Sequence, residues 1–307
     1  MYTMDKALRE YLQYCREQRR LDLKTVKAYE NDLKQFWDYS GQDDLMVPKE
    51  TMKAYMVSLH EQYKQKTVKR KIASIKAFYT YLENEEIIDV SPLRRVKTEF
   101  RQEIILPKTI PANVIEELLY FMYHQKESSE MTVWQKKILV RDIAVIELLF
   151  ATGLRISELC NLQKKRIDLQ QGILCIKGKG AKERYLQIGN PMVLQQLVEF
   201  TEVWEEERRK SPYFFCNRYG DRFSEQSARR MINKYVKQAA IDIHITPHMF
   251  RHAFATLLLE EDVDIRYIQK MLGHSSIVTT QIYTAVANKK QMEILKTKHP
   301  RNKMVVR

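Results

Sequence analysis

The chain has 307 residues, 44% of them hydrophobic and 30% charged, which is enough apolar material for about two packed domains and too much for a disordered chain. With only 8 Gly and 8 Pro, sandwiches and barrels built on many tight turns are disfavoured, and Lys+Arg 52 against Asp+Glu 39, a net charge of +13, points to an anionic partner. No run of about 18 apolar residues marks a transmembrane helix, the first twenty residues lack the apolar core of a signal peptide, and Cys15, Cys160, Cys175 and Cys216 form no C-x-x-C pair, so a cytoplasmic protein with reduced thiols and no structural zinc is expected.

The first hundred residues read as consecutive amphipathic helices. Leu8, Tyr11, Leu12 and Cys15 recur at helical spacing after Thr3. Thr25 is the expected N-cap of a second helix with Val26, Tyr29, Leu33, Phe36 and Trp37 on its inner face. A third runs from about Pro48 through Tyr55, Met56 and Leu59, and a fourth from about Thr67 aligns Val68, Ile72, Ile75, Tyr79 and Leu82. The opposite face of that fourth helix carries Lys69, Arg70, Lys71 and Lys76. Residues 91–107, with Ser91, Pro92, Arg94 and Arg95, have little periodicity and read as a linker. Helical patterning resumes after Pro111, over Val114 to Tyr123 and Lys136 to Thr152. Residues 172–177 and 183–188 then alternate like strands about a Gly178-Lys179-Gly180 turn, a small antiparallel hairpin set into a helical domain. The expected fold class is therefore mainly α, with a helical N-terminal domain (1–90), a linker (91–107), a mostly helical mixed α/β domain (108–298) and a short tail (299–307).

The charge is spread along both domains: 19 basic against 16 acidic residues in 1–100, 14 against 11 in 101–200, and 19 against 12 in 201–307. Two domains that each present a basic face fit this better than a single basic tail. Four segments stand out: Ala151-Thr152-Gly153-Leu154-Arg155-Ile156-Ser157-Glu158-Leu159, the Lys179 turn, His248-Met249-Phe250-Arg251-His252, and Leu272-Gly273-His274 followed by Tyr283. Taken singly, each has a plain structural reading: a solvated arginine, a turn lysine, a helix-capping histidine, one tyrosine among 17. His248 and His252 lie four apart but no carboxylate completes a zinc pattern, and the lysine turn lacks the spacing of a Walker loop.

Their joint order carries more than any one of them. An arginine in A-T-G-L-R-x-S-E-L, a lysine in a hairpin turn 24 residues later, H-x-x-R, L-G-H, and a tyrosine nine residues beyond that histidine resemble the tyrosine recombinase (phage integrase) family nearly end to end. The first four helices are similar to the family's core-binding, SAM-like domain, and His299-Pro300-Arg301 to the tail of the compact Xer recombinases. The resemblance implies a site-specific recombinase that cuts and rejoins double-stranded DNA without metal, nucleotide or redox cofactor. It implies six catalytic residues, Arg155, Lys179, His248, Arg251, His274 and Tyr283, and Lys69, Arg70 and Lys76 are expected either to contact DNA or to form a solvated basic face.

The chemistry of a phosphodiester agrees with those roles. Its transition state concentrates negative charge on the non-bridging oxygens, which the planar donor forks of Arg155 and Arg251, with His274, are suited to bind. In the family's scheme Tyr283 attacks phosphorus to form a 3′-phosphotyrosyl link, His248 takes the phenolic proton, and Lys179 protonates the departing 5′-oxygen. Glu158, one turn from Arg155, is expected either to orient that guanidinium or to act as a capping or solvated acid.

Glu260-Glu261, Ala285 and the long segment 123–137 depart from the family's usual wording, which bears on chromosomal versus mobile-element use and not on the six chemical positions. A short helix over 289–298, with Met292 and Leu295 on one side, fits either docking on a neighbouring subunit of a homo- or heterotetramer or packing on its own domain. Two rivals share parts of the pattern: a type IB topoisomerase, and a non-catalytic DNA-binding regulator, which predicts the loss of at least one of the six side chains.

Overall fold

The computed structural model describes residues 3–41, 44–94, 109–178, 183–273 and 292–304. The chain divides into two compact units, Met1–Ile104 and Ile105–Arg307, each with its own apolar core. The described residues are mostly helical, with one three-stranded antiparallel sheet, and none of the helices is long and apolar enough to cross a membrane. Lys179, His274 and Tyr283 lie outside the described residues, as does most of the expected linker.

The first unit holds α1 (Met4–Glu17), α2 (Leu23–Ser40), α3 (Lys49–Gln62) and α4 (Gln65–Asn84). Its core is the set of residues that recur at helical spacing, among them Leu8, Tyr11, Leu33, Phe36, Val68, Phe78, Tyr79 and Leu82. The second helix starts earlier than its apolar pattern suggests. Asp22, not Thr25, is its N-cap, because the Asp22 carboxylate accepts from the Lys24 backbone N–H at 2.8 Å and an aspartate competes well for that position.

The basic face of α4 is also narrower than its spacing suggests. Lys71 is only 3% exposed, and its ammonium bonds the Asp32 carboxylate of α2 at 3.2 Å. Asp32 is itself buried and also takes Arg70 Nη1 and, at 2.8 Å, the Ser74 hydroxyl. A buried carboxylate needs such partners, so Lys71 and one donor of Arg70 hold α4 to α2. Lys69 and Lys76 remain exposed.

The second unit is built around α6 (Val133–Thr152), nearly uniformly apolar over its second half and buried there on all sides. Thr132 and Gln135 close its N-terminus as a capping box, and Gly153, at φ +61°, ends it. Packed on α6 are α5 (Ala112–Glu127), α8 (Pro191–Val203), α10 (Glu225–Gln238) and α11 (Pro247–Glu260). The short α7 (Ile156–Cys160) follows α6 directly, α9 (Glu205–Arg209) follows α8, and α12 (Ile265–Leu272) follows α11.

The hairpin of β2 (Ile173–Lys177) and β3 (Glu183–Gln187) forms in the expected segments, and a two-residue β1 (Ile167–Asp168) adds a third strand. Leu174 pairs with Leu186 and Ile176 with Arg184, so Arg184 stands on the inward face of the sheet.

Residues 292–298 are helical and fold back on their own unit: Ile294 and Leu295 are buried in its core. The following turn, Pro300–Lys303, is pinned by a fully buried ion pair. Arg301 Nη2 and Nε donate to the Glu147 carboxylate of α6 at 2.8 and 3.1 Å, and the Tyr123 hydroxyl donates to the same carboxylate at 2.9 Å. His299 sits alongside, with its Nδ1 accepting the Arg301 backbone N–H at 3.0 Å and its Nε2 3.2 Å from the Phe150 carbonyl. That pattern makes it the neutral Nε2–H tautomer, and burial pushes its pKa down to about 4. Residues 289–291 of the expected terminal helix lie outside the described residues, and its described part packs on its own unit.

Candidate functional site

Three of the six expected chemical residues are described, and all three come together in the second unit. Arg155 is the N-cap of α7, two residues past the glycine that ends α6. That glycine is required twice over. Its backbone is left-handed, and a β-carbon there would lie 2.7 Å from Phe254 and 2.9 Å from Leu272. The tight turn therefore lets α11 and α12 close over the point where the chain delivers Arg155.

Arg251 and His248 lie on the first turns of α11, whose start is set by Thr246 as N-cap and Pro247 at the first helical position. Arg251 is 7% exposed, and two of its nitrogens are held by backbone: Nη1 donates to the Gly153 carbonyl at 2.9 Å and Nη2 to the Leu272 carbonyl at 2.6 Å. One guanidinium thus ties the turn before Arg155 to the last residue of α12, two positions before His274. Burial, and then the Arg155 charge, bring its pKa down to about 10, so it stays cationic at neutral pH.

His248 feels the same crowd of cations. Burial lowers its pKa first, followed by His252 and the charges of Arg229, Arg251 and Arg155. The helix N-terminus acts in the same direction. A histidine held neutral is a proton acceptor, which is what a general base needs to be.

Glu158 does both of the things expected of it. Its Oε2 caps α7 by accepting the Arg155 backbone N–H at 2.9 Å, and its Oε1 accepts Arg155 Nη1 at 2.9 Å. It also meets a residue that periodicity alone did not single out, Arg184 of β3, whose Nη1 and Nη2 donate to the two carboxylate oxygens at 2.9 and 2.8 Å. Burial would raise the Glu158 pKa, but the Arg184 fork and the Arg155 donors outweigh it and hold the carboxyl below the usual range. A signal for Arg184 was present in the strand alternation: the phase that places Leu186 and Ile188 inward also places Arg184 inward, and an inward arginine requires a buried anion.

Beside Glu158 lies an open groove of about 480 Å³, lined by Ser157, Asn161, Lys165, Arg166, Cys175 and Lys177 among others. Its basic side chains continue the positive charge of the site along β2. Among the described residues no group of three or more His, Cys, Asp and Glu side chains is arranged to hold a metal ion. Lys69, Arg70 and Lys76 belong to the first unit, on α4.

Comparison with known proteins places this geometry. Residues 108–290 match the Phage integrase family, and residues 8–86 match the Phage integrase N-terminal SAM-like domain. A tyrosine recombinase of Agathobacter rectalis is 51% identical over 302 residues, covering 98% of both chains. Tyrosine recombinase XerC of Oceanobacillus iheyensis is 31% identical, covering 98% of both, and tyrosine recombinase XerD of Listeria innocua is 32% identical, covering 97% of this chain and all of that one. Among solved structures, XerH site-specific recombinase bound to palindromic difH substrate superposes with a TM-score of 0.72 at 22% identity, covering 94% of this chain and 83% of that one. The lambda integrase tetramer bound to a Holliday junction superposes with a TM-score of 0.69 at 15% identity, covering 91% and 80%. These two show a shared fold.

Proposed function

We infer the reaction from one premise: this chain belongs to the phage integrase family of tyrosine recombinases, enzymes of site-specific DNA breakage and rejoining. It cuts one strand of duplex DNA through a covalent 3′-phosphotyrosyl intermediate and rejoins it to a new partner, with its own side chains supplying all the catalysis. The observation that carries the proposal is the convergence of Arg155, Arg251 and His248 in one cluster whose cations reach each other electrostatically.

Arg155 and Arg251 bind the non-bridging oxygens, and each such donor is worth about 3–4 kcal/mol in the transition state. His248 accepts the proton of the Tyr283 hydroxyl as that oxygen attacks phosphorus. The phosphorus–5′-oxygen bond breaks, and Lys179, which lies between the two strands in sequence, protonates the leaving oxygen. His274 adds a further donor. Water does not enter the balance, so the ester energy is kept in the phosphotyrosyl bond and reversal by another 5′-hydroxyl rejoins the strand.

In the assembly that follows, residues 1–90 are the core-binding domain and 108–298 the catalytic domain, joined by 91–107, with a tetramer of this chain or of it and a related recombinase holding two duplexes. The test is a trapping experiment. Wild-type protein is mixed with a library of duplexes containing a nick in a randomised core, then denatured, and DNA that remains attached is recovered and sequenced. The expected result is an enriched pair of inverted half-sites about a short spacer. No attached DNA at any protein concentration overturns the proposal, and relaxation of plasmids without strand exchange between two recovered duplexes points to a topoisomerase instead.

Phosphate contacts from α4 make a separate expectation. Lys69→Ala/Lys76→Ala leaves the Asp32 cluster intact and should lower the slope of log affinity against log salt by about 2, at 0.9 per phosphate contact. Titration of a fluorescent duplex across a salt series measures it, and an unchanged slope means these lysines are a solvated face. Arg70 is a weaker contributor than its spacing suggests, because one of its donors is committed to Asp32.

A further inference from the structure

Arg184 is bound to Glu158 by a two-donor fork, and the reaction above does not use it. We propose that Arg184 is a positioning residue: it occupies the Glu158 carboxylate so that Glu158 steers Arg155 without neutralising it, leaving the other donors of Arg155 to the phosphate. The proposal rests on the reading that Arg155 holds the scissile phosphate.

Both oxygens of Glu158 are engaged by the Arg184 fork, Oε1 by Nη1 at 2.9 Å and Oε2 by Nη2 at 2.8 Å. Arg155 receives only one side-chain contact from that carboxylate, Nη1 to Oε1 at 2.9 Å, and among the described residues its Nη2 and Nε have no other partner. The contrast in exposure follows: the Arg155 side chain is 38% exposed and that of Arg184 14%. A carboxylate and a guanidinium pair most strongly as a fork on a fork. With Arg184 removed, the strongest partner left to Glu158 is Arg155, and closing that second fork would take two of its donors and its charge out of the site. Arg155, Arg184, Arg251 and Glu158 together carry two net positive charges, matched to a phosphoryl transition state more negative than the ground state; without Arg184 they carry one.

The placement of Arg184 is independently constrained. Its Nε donates to the Met271 carbonyl at 3.0 Å, one residue before the carbonyl that holds Arg251. Its side chain also fills the space beside Gly273, where an added β-carbon would sit 3.0 Å from Cδ and 3.2 Å from Nε, at a backbone φ of +67°. The arginine is therefore locked between α7, β3 and the end of α12, the segments that lead to Arg155, Lys179 and His274.

The experiment uses the duplex recovered by trapping, under single-turnover conditions, with attached DNA measured against time and DNA affinity measured separately. Arg184→Ala is expected to slow attachment about 30-fold or more with affinity within about threefold. Adding Glu158→Gln to that variant removes the competing charge and should restore about tenfold of the loss. A role confined to stapling β3 to α12 predicts no such recovery, since the staple is absent from both variants. Should Arg184→Ala fail to fold, Arg184→Lys and Arg184→Lys/Glu158→Gln give the same comparison, because lysine keeps the charge but not the fork. Attachment by Arg184→Ala at the wild-type rate, or a double variant no faster than the single, overturns the inference while the recombinase reading stands. Absence of attachment by the wild-type protein overturns both.

Discussion

Replacing Tyr283 with phenylalanine should abolish the denaturant-resistant protein–DNA complex, a fall of more than about 10⁴-fold, while DNA affinity stays within about twofold. The substitution removes one oxygen and nothing else. That oxygen is the proposed nucleophile, and no neighbouring group in the pattern can take its place: His248 is assigned to receive a proton, Arg155 and Arg251 remain cationic, and Lys179 is assigned to deliver a proton. The phosphate-binding groups, by contrast, are left intact. Arg251 keeps its two carbonyl partners and Arg155 its side-chain contact with Glu158. Affinity therefore reports on the cluster and attachment reports on the nucleophile, and the two measurements separate. A denaturant-resistant complex formed by Tyr283→Phe would sink the assignment, whatever the wild-type protein does.

The second large effect concerns stability. Arg301→Met should destabilise the second unit by about 3–5 kcal/mol, the cost of leaving a buried carboxylate without its partner. For a unit of this size that lowers the melting temperature by roughly 10 °C. The reason is specific to the site of the change: both side chains of the pair are 0% exposed, and among the described residues the Tyr123 hydroxyl is the only other side-chain donor to Glu147. Burial and the Glu147 charge together have already pushed the Tyr123 phenol far above its ordinary pKa, so it can donate to the orphaned carboxylate but not neutralise it. Glu147→Gln in the same background removes the stranded charge, keeps an acceptor for Tyr123, and should recover a large part of the loss. Thermal unfolding of the three variants measures it; a loss below about 1 kcal/mol for Arg301→Met would mean that the pair is not buried in solution as it is in the structure.

The residues that declare themselves in the sequence are those whose spacing along the chain is itself the signal. Arg155, His248 and Arg251 are each ambiguous alone, and their order and separation single them out before any geometry is known. The helices of the first unit and the β2–β3 hairpin follow from periodicities of 3.6 and 2, and they form in those segments, with α2 and α4 beginning a few residues earlier than the apolar pattern places them. What spacing does not carry is pairing between distant segments. Asp32 is buried by Arg70, Lys71 and Ser74, some forty residues away, so a stripe of four basic residues on α4 looks uniformly solvated in sequence and is not. Arg184 escaped for a related reason. The strand alternation puts it in phase with Leu186, but its partner Glu158 lies 26 residues away, and spacing along the chain does not show that pairing. The N-cap of α2 was lost to a local competition, in which Asp22 offers a better acceptor than Thr25.

Arg251 and Arg184 are anchored by different kinds of partner, and this gives the site two unequal degrees of tolerance to mutation. The carbonyls of Gly153 and Leu272 belong to the main chain. They do not titrate, they carry no charge to be lost, and a change of side chain at position 272 leaves the acceptor in place. A lineage of such proteins can therefore drift through much of α12 without moving that guanidinium. The fork between Arg184 and Glu158 has no such insurance, because one nucleotide change at either codon removes it. The positions where natural variants lose strand cleavage while keeping their fold should accordingly gather around residues 158 and 184, rather than around the carbonyls that hold Arg251.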